Sequence, residues 1–494
     1  MIAELSSTVR IISPSHHVGL DDYAAVGALA LPVQDLRAHA AIIVPRFEDR
    51  TIWMVNSTAQ GGGVAEMLPG VVALLRELGL AVEWVVAGSD DPDFFRLTKR
   101  IHNLVHGEGD PALTRDDRTL FETVSRRNSD ALAARVKVTD VLVIHDPQTV
   151  ALGAMLKESI GLPTIWRCHI GLDRRTPETS AAWKFLRPWA TACDRAVFSA
   201  PEYIPDYLSG KATIIHPAVD PLSHKNRDLS IHKLVGILCN SGLIGEQAPP
   251  RSPPFEHRAR RLQPDGRWAA ATEPEDLGLL FRPFVTQVSR WDRLKGWRPL
   301  LRGFVTLKER YTHDGKLEPI GLRTIETSRL LLAGPDPEAI EDDPEGREVL
   351  DELRDDYLAL PSALQREIAI LALPMDSAKQ NALMVNALQR CSTVVVQNSL
   401  REGFGLTVTE AMWKAIPVLG SSAAGIRQQI HDGLEGRLVR DPEDPDEIAR
   451  ALREMLADDH ARDRWARAAQ RRAHHDFLIF TQLRRWLEVL GEIG

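Results

Sequence analysis

Residues 391–422 read CSTVVVQNSLREGFGLTVTEAMWKAIPVLGSS. The run CSTVVVQNS is a short β-branched, apolar stretch that closes on polar residues, which is the pattern of a buried strand. EGFGLTVTE follows at once, and its two glycines make a tight turn that must open a helix. EAMWKAIPVLGSS then supplies that helix and a further strand. Strand, glycine turn, helix and strand form the repeating unit of a parallel sheet covered by helices. A ligand of such a sheet binds beyond the carboxyl ends of its strands. Glu402 and Glu410 bracket the turn. Turn amides at a helix start bind phosphate, and nearby carboxylates accept hydrogen bonds from sugar or ribose hydroxyls. The plainer alternative is a helix start with capping carboxylates.

The same grammar extends upstream and downstream. RPFVTQVSRWDRLKGW (282–297) reads as strand, loop and helix start, and SRLLLAGPD (328–336) as a strand. DPDEIARALREMLAD (444–458) is an amphipathic helix, and 461–494 is helical with Arg/His clusters and several aromatics. Within Ser289–Gly296 Arg290 and Lys295 are two cations five apart where a helix should begin. Arg offers bidentate hydrogen bonds to phosphate oxygens and Lys a compact charge, so the pair can hold a diphosphate without a metal. A solvated loop with surface cations is the alternative.

The first half repeats the pattern. TIWMV (51–55) is a strand, NSTAQGGG a glycine loop, VAEMLPGVVALLRELG (64–79) a helix and AVEWVVAG (81–88) the next strand. VTDVLVIHD (138–146), LPTIWRCHI (162–170), RAVFSA (195–200) and KATIIHPAVD (211–220) continue the series, while residues 1–50 read as a helical, alanine-rich lead-in. Gly61–Gly63 is either a flexible turn or a close backbone approach to a phosphate or oxyanion. His145, Asp146, Arg167 and His169 end predicted strands; each alone is more often structural, yet strand tips of this kind face a cleft. Asp91-Pro92-Asp93 is set aside as a metal site because Asp-Pro runs recur in turns. Residues 241–280 are rich in Pro, Gly and charge and read as a linker or surface insertion. The expected organisation is a first α/β domain over 1–240, the 241–280 linker, a second α/β domain over 281–470 and a C-terminal helix over 471–494. Two Rossmann-like α/β domains facing across a cleft are the simplest architecture.

Composition narrows the function. The 494 residues include 44% hydrophobic and 26% charged side chains, an ordinary globular balance with material for large cores. Sixty Lys plus Arg against 68 Asp plus Glu give a net charge of −8, which argues against nucleic acid or anionic lipid as the main partner. Four scattered cysteines without a C-x-x-C pair point away from a zinc or redox motif and toward a reducing compartment. The N-terminus lacks the basic and apolar regions of a signal peptide, and no apolar run approaches the roughly 18 residues of a membrane span. A cytoplasmic location is expected. Neither H-E-x-x-H nor G-x-S-x-G occurs, so metalloprotease and serine hydrolase chemistry have no support.

Taken together, these motifs resemble the GT-B retaining glycosyltransferases of family 4. Glu402–Glu410 is similar to that family's E-x7-E element and Ser289–Gly296 to its S-R-x-x-x-x-K-G element. VNSTAQGGGVAEML, IHDPQ, WRCHI, HPAVDPLSHKN (216–226), TQVSRWDRLKGW and REGFGLTVTEAMW resemble the group of trehalose-forming synthases and trehalose phosphorylases. One departure stands out: Gly171 follows WRCHI where an acidic residue is usual.

The resemblance implies a GT-B fold whose C-terminal helix crosses back to the first domain. It implies that Arg290 and Lys295 hold the diphosphate of an NDP-glucose donor (UDP or ADP), with Glu402 on the donor sugar and Gly403, Phe404, Gly405 and Leu406 lining its pocket. Glu410 would take the ribose, Gly62 and Gly63 would approach the donor, and His169 would touch the donor sugar. Asn56, Asp146 and Arg167 would face the acceptor. No cofactor and no metal ligands are implied, although assistance by Mg2+ and a homodimer stay open. Small sugars are the expected partners. The expected reaction transfers glucose to a small acceptor, glucose itself giving α,α-trehalose. The rivals are a trehalose phosphorylase on the same scaffold, a transferase with another acceptor, and a non-catalytic regulator that binds a sugar nucleotide.

Overall fold

The computed structural model describes all residues except 1, 2, 5–7, 15, 17, 60–62, 246–254, 313, 314, 316, 338–343 and 494. The chain divides into two compact units, Met1–Asp220 with Asp476–Gly494, and Pro221–His475.

The first unit is built on β1 (Ala3–Glu4), β2 (Val9–Ile12), β3 (Thr51–Asn56), β4 (Ala81–Ala87), β5 (Val141–His145), β6 (Thr164–Cys168), β7 (Arg195–Phe198) and β8 (Ala212–Ile214). Their order is β1-β2-β4-β3-β5-β6-β7-β8. From β4 to β8 every pairing is parallel, and β1 and β2 add an antiparallel edge. Val9–Ile12 is therefore a strand where a wholly helical lead-in is expected; its VRII run pairs with the rim strand β4, Val9 opposite Ala87. Helices Leu20–Ala24 and Ala30–Ile43 take up much of the rest of that segment. Strand order reverses between β3 and β5, so Asn56 and His145 end the two strands that flank the reversal.

Asp140 fixes β3 against the chain entering β5. Its carboxylate accepts from the Thr51 and Lys137 backbone N–H groups and from Trp53 Nε1, all at 2.9 Å. The last helix, Ile479–Ile493, belongs to this unit and packs on Ala30–Ile43. It buries Phe480, Leu483, Trp486, Leu487 and Leu490. Each such side chain contributes roughly 1.5–3 kcal/mol when fully buried. The Val219 N–H donates to the Phe477 carbonyl at 2.9 Å, and the Ile479 N–H returns to Val219 at 3.1 Å.

The second unit contains β9 (Arg260–Leu262), β10 (Trp268–Ala270), β11 (Phe284–Val288), β12 (Arg329–Pro335), β13 (Ile368–Leu373), β14 (Val394–Gln397), β15 (Val418–Ser421) and β16 (Gly436–Val439). The order is β10-β9-β13-β12-β11-β14-β15-β16, parallel from β13 to β16. It is the doubly wound dinucleotide-fold order with an antiparallel hairpin added at one edge. The reversal falls between β11 and β14, the strands that precede the two glycine motifs. Residue 240, the expected domain boundary, lies inside this unit. Helix Ile231–Asn240 sinks Leu238 into a core shared with Met384 and Leu388. Part of the expected 241–280 linker forms β9 and β10, and 246–254 lie outside the described residues.

Candidate functional site

In the second unit the loop after β11 is held rigidly from below. Gln287, buried near the end of β11, donates from Nε2 to the Lys295 carbonyl at 2.8 Å and accepts from the Asn398 N–H at 2.9 Å. Asn398 Nδ2 donates to the Gly296 and Pro442 carbonyls at 3.1 and 2.9 Å. Gly296 has φ 61°, and a Cβ there would lie 2.1 Å from the Asn398 carbonyl oxygen. Only glycine fits this corner without strain. Trp291 Nε1 donates to the Pro335 carbonyl at 2.7 Å and Trp297 Nε1 to the Arg290 carbonyl at 3.1 Å, and the two indoles lie 4.7 Å apart, tilted by 41°. Asp292 caps the short 3-10 turn Arg293–Lys295, accepting from the Leu294 N–H at 2.8 Å.

This scaffold presents two different cations. Arg290 is 73% exposed, with Asp292 3.7 Å away. Lys295 is turned inward, and its Nζ lies 2.6 Å from Glu402 Oε2, both side chains about 15% exposed (15% and 14%). The same carboxylate oxygen accepts from Ser399 Oγ at 3.0 Å and Gln397 Nε2 at 3.4 Å. The S-R-x-x-x-x-K-G and E-x7-E elements, 107 residues apart at this pair, thus meet at one ion pair.

After Glu402 the chain runs through Gly403, Phe404 and Gly405 into helix Leu406–Trp413, with Gly405 at φ 87°. Gln429 Nε2 donates to the Gly405 and Gly425 carbonyls at 3.3 and 3.1 Å and to the Phe404 carbonyl, pinning the turn from behind. Glu410 lies buried on this helix, 3.6 Å from Lys225 Nζ. One turn on, Lys414 is buried and donates to Asn226 Oδ1, Gln389 Oε1 and the Glu410 carbonyl. Burial lowers its ammonium to about 7, opposed by the charge of Glu410.

A second polar cluster lies at the reversal point of the first unit. Asn56 ends β3; its Oδ1 accepts from Trp84 Nε1 at 2.8 Å and its Nδ2 donates to the Thr58 carbonyl, so both ends of the amide already have partners. Asp146 opens helix Asp146–Ile160 in the left-handed region at φ 64°, a strained geometry for a residue with a side chain. Its carboxylate accepts from the His169 backbone N–H at 2.8 Å. Desolvation raises this carboxyl to about 6, against the His169 hydrogen bond and the Arg167 charge. Arg167, opposite His145 in the β5–β6 ladder, is 1% exposed and donates to Ser199 Oγ at 3.4 Å. His145 and His169 lie side by side, and burial depresses both imidazoles.

Of the expected site residues, Arg290, Lys295, Glu402, Gly403, Phe404, Gly405, Leu406 and Glu410 gather beyond β11 and β14. Asn56, Asp146, Arg167 and His169 gather beyond β3, β5 and β6. Gly63 starts helix Gly63–Glu77, and Gly62 lies outside the described residues. Asp91 of the discounted D-P-D run caps helix Pro92–Val105. Gly171 abuts Tyr203, whose ring would lie within 2.3 Å of a Cβ at 171. The sequence reading missed Gln287, Asn398, Gln397, Ser399 and Gln429. A signal for three of them was present: glutamine and asparagine at the tips of the apolar runs FVTQV and VVVQN. Among the described residues no cluster of three or more His, Cys, Asp or Glu is arranged to hold a metal, and no helix is long and apolar enough to cross a membrane.

Residues 54–205 match the family described as trehalose synthase, N-terminal domain, and residues 377–472 match glycosyl transferases group 1. The trehalose synthase of Pyrococcus horikoshii is 33% identical over 454 residues, 91% of each chain. The trehalose phosphorylase of Pleurotus pulmonarius is 26% identical over 83% of this chain and 52% of its own. Among solved structures, the E. coli trehalose-6-phosphate structure bound with UDP-2-fluoro glucose superposes with a TM-score of 0.63 at 15% identity, covering 90% of this chain and 99% of that one. An α,α-trehalose-phosphate synthase (UDP-forming) from Burkholderia xenovorans, in complex with glucose-6-phosphate, gives 0.61 at 16% identity, covering 89% and 100%. The fold is that of the GT-B glycosyltransferases.

Proposed function

The chain belongs to the trehalose synthase family of glycosyltransferases, and on that premise we propose that it is a retaining transferase that moves glucose from NDP-glucose to free glucose, giving α,α-trehalose. The observation that carries this reading is the meeting of Lys295 and Glu402 at the strand reversal of the second unit, with Arg290 exposed above them.

Breaking the anomeric C–O bond places negative charge on the departing diphosphate and positive charge on the sugar. Arg290 and Lys295 stabilise the first, together with the amides of the Gly403–Leu406 turn; preorganised charge of this kind is usually the largest catalytic contribution. Glu402 accepts hydrogen bonds from the donor sugar hydroxyls, and Glu410 from the ribose. The acceptor oxygen bonds to the anomeric carbon on the face the diphosphate leaves, and its proton passes to a diphosphate oxygen. Asp146 and Arg167 hold the acceptor, and His169 meets the donor sugar. Asn56 acts through the backbone it ties down.

The experiment is a matrix of UDP-, ADP- and GDP-glucose against glucose and other small acceptors, with NDP release and product both measured. NDP release with α,α-trehalose supports the reading. Release with another acceptor moves the function to a different retaining transferase. The phosphorylase relative supports a second reading; glucose 1-phosphate formed from trehalose and phosphate, with no nucleotide turnover, would establish it instead.

A further inference from the structure

His145 and His169 end neighbouring parallel strands, or stand one residue past the end, in the first unit. Nδ1 of His145 lies 3.1 Å from Nε2 of His169, with the rings 14° from parallel and 5.4 Å apart. Burial, and then the Arg167 charge, lowers His145 to about 3 and His169 well below the usual imidazole range. Both rings are therefore neutral at pH 7. A hydrogen bond between two neutral imidazoles needs one nitrogen with a hydrogen and one without. If His145 donates from Nδ1, then His169 accepts at Nε2 and carries its hydrogen on Nδ1. If His169 donates from Nε2, then His145 carries its hydrogen on Nε2. The two rings must share a tautomer, both Nδ1–H or both Nε2–H.

The outer nitrogens, His145 Nε2 and His169 Nδ1, are buried and have no partner within the chain, and Arg167 Nη1 is in the same condition. These three side chains line a small cavity with Gln482 and Trp486 of the last helix, closed by apolar side chains such as Met54 and Leu68. Its free space is that of about one water molecule. Buried polar atoms normally find partners, so three orphans on one cavity mark a place where a polar ligand group or a water completes the set.

We propose that His145 is a positioning residue: the shared hydrogen bond couples the His169 tautomer to its own and keeps Nε2 of His169 occupied, so that Nδ1 of His169, and not Nε2, meets the sugar. This rests on the reading that His169 touches the donor sugar. The Asp146 carboxylate holds the His169 backbone, and Thr149 Oγ1 donates to the His145 carbonyl, so both rings are anchored from their main chains as well.

The test uses full-length protein with 15N-labelled histidine. Long-range 1H–15N spectra at pH 7.5 report which ring nitrogen carries hydrogen. In the wild type both rings should be neutral and of the same tautomer. His145→Phe keeps the ring shape without nitrogens; Nε2 of His169 should then lose its hydrogen-bond partner, with a changed ring 15N spectrum, and kcat/KM should fall roughly ten-fold. His145→Asn, whose amide can still donate or accept, should keep Nε2 of His169 hydrogen-bonded and restore most of the activity. Unlike tautomers in the wild type, a protonated ring, or an unchanged His169 spectrum in His145→Phe would overturn the coupling. A coupled, tautomer-matched pair together with full activity in His169→Ala would overturn only the contact with the sugar.

Discussion

Lys295→Ala should separate catalysis from folding. A leaving diphosphate oxygen about 4 Å from Nζ, at an effective dielectric near 20, interacts with the ammonium by about 4 kcal/mol. At about 1.36 kcal/mol per factor of ten, losing that interaction lowers kcat by roughly 10^3. The stability cost is smaller. Glu402 loses its cation but keeps Ser399 Oγ at 3.0 Å and Gln397 Nε2 at 3.4 Å, so the carboxylate is not stranded. The expected loss is about 1–2 kcal/mol, below the ~3–5 typical when a buried ion pair is broken outright. Arg290 is a useful contrast: at 73% exposure its charge is screened by water, and Arg290→Ala should cost only one order of magnitude or so. The assay is NDP release at saturating donor and acceptor, with urea unfolding of the same preparations. A folded Lys295→Ala enzyme that turns over within ten-fold of the wild type would refute the assignment of Lys295 to the leaving group.

Three further outcomes follow from the structure. Gly296→Ala must place a Cβ 2.1 Å from a backbone oxygen at φ 61°; it should lower stability by about 2 kcal/mol or more and disturb nucleotide binding, read by urea unfolding and by calorimetric titration with NDP. Acidification should weaken the first unit. His145 and His169 bind protons more readily when unfolded, so from about pH 6.5 downward each ring removes up to ~1.4 kcal/mol per pH unit, while Asp146, raised to about 6, opposes this between about pH 6 and 4. Urea unfolding at pH 6.5 and 5 should therefore show a larger loss in the wild type than in His145→Asn. Gly171→Asp should unfold or severely destabilise the protein because Tyr203 fills the space, and adding Tyr203→Ala should recover much of the loss; equal melting temperatures for the single and double variants would contradict the packing.

The reading from sequence reached the sheet architecture because each strand–turn–helix unit announces itself locally. β11, β14 and β15 were visible from apolar runs ending in polar residues, and the Glu402 turn from its glycines. Ile368–Leu373 and Gly436–Val439 were not, since a short apolar run such as IAILAL has no period that separates helix from strand. Val9–Ile12 was hidden because its partner β4 lies more than 70 residues away. The site was legible in its charges and opaque in its supports. Lys295 and Glu402 stand out as cation and carboxylate, whereas Gln287 and Asn398 matter through hydrogen bonds to backbone carbonyls that only the fold brings near. Gly171 could be noticed as a departure, but its cause, the Tyr203 ring, is a non-local contact.

The return of the chain to the first unit makes that unit discontinuous in sequence. Its sheet is laid down early in synthesis, yet the helix that covers Tyr23 and Trp486's neighbours emerges only after the intervening 221–475 segment. The first unit therefore completes its apolar cover only when the last segment of the chain has been made, whereas the second unit is continuous in sequence. The two cut ends are already neighbours, joined by the Val219–Phe477 and Ile479–Val219 hydrogen bonds. A short splice from 220 to 476 would join the first unit into one continuous stretch and release 221–475 as an uninterrupted segment.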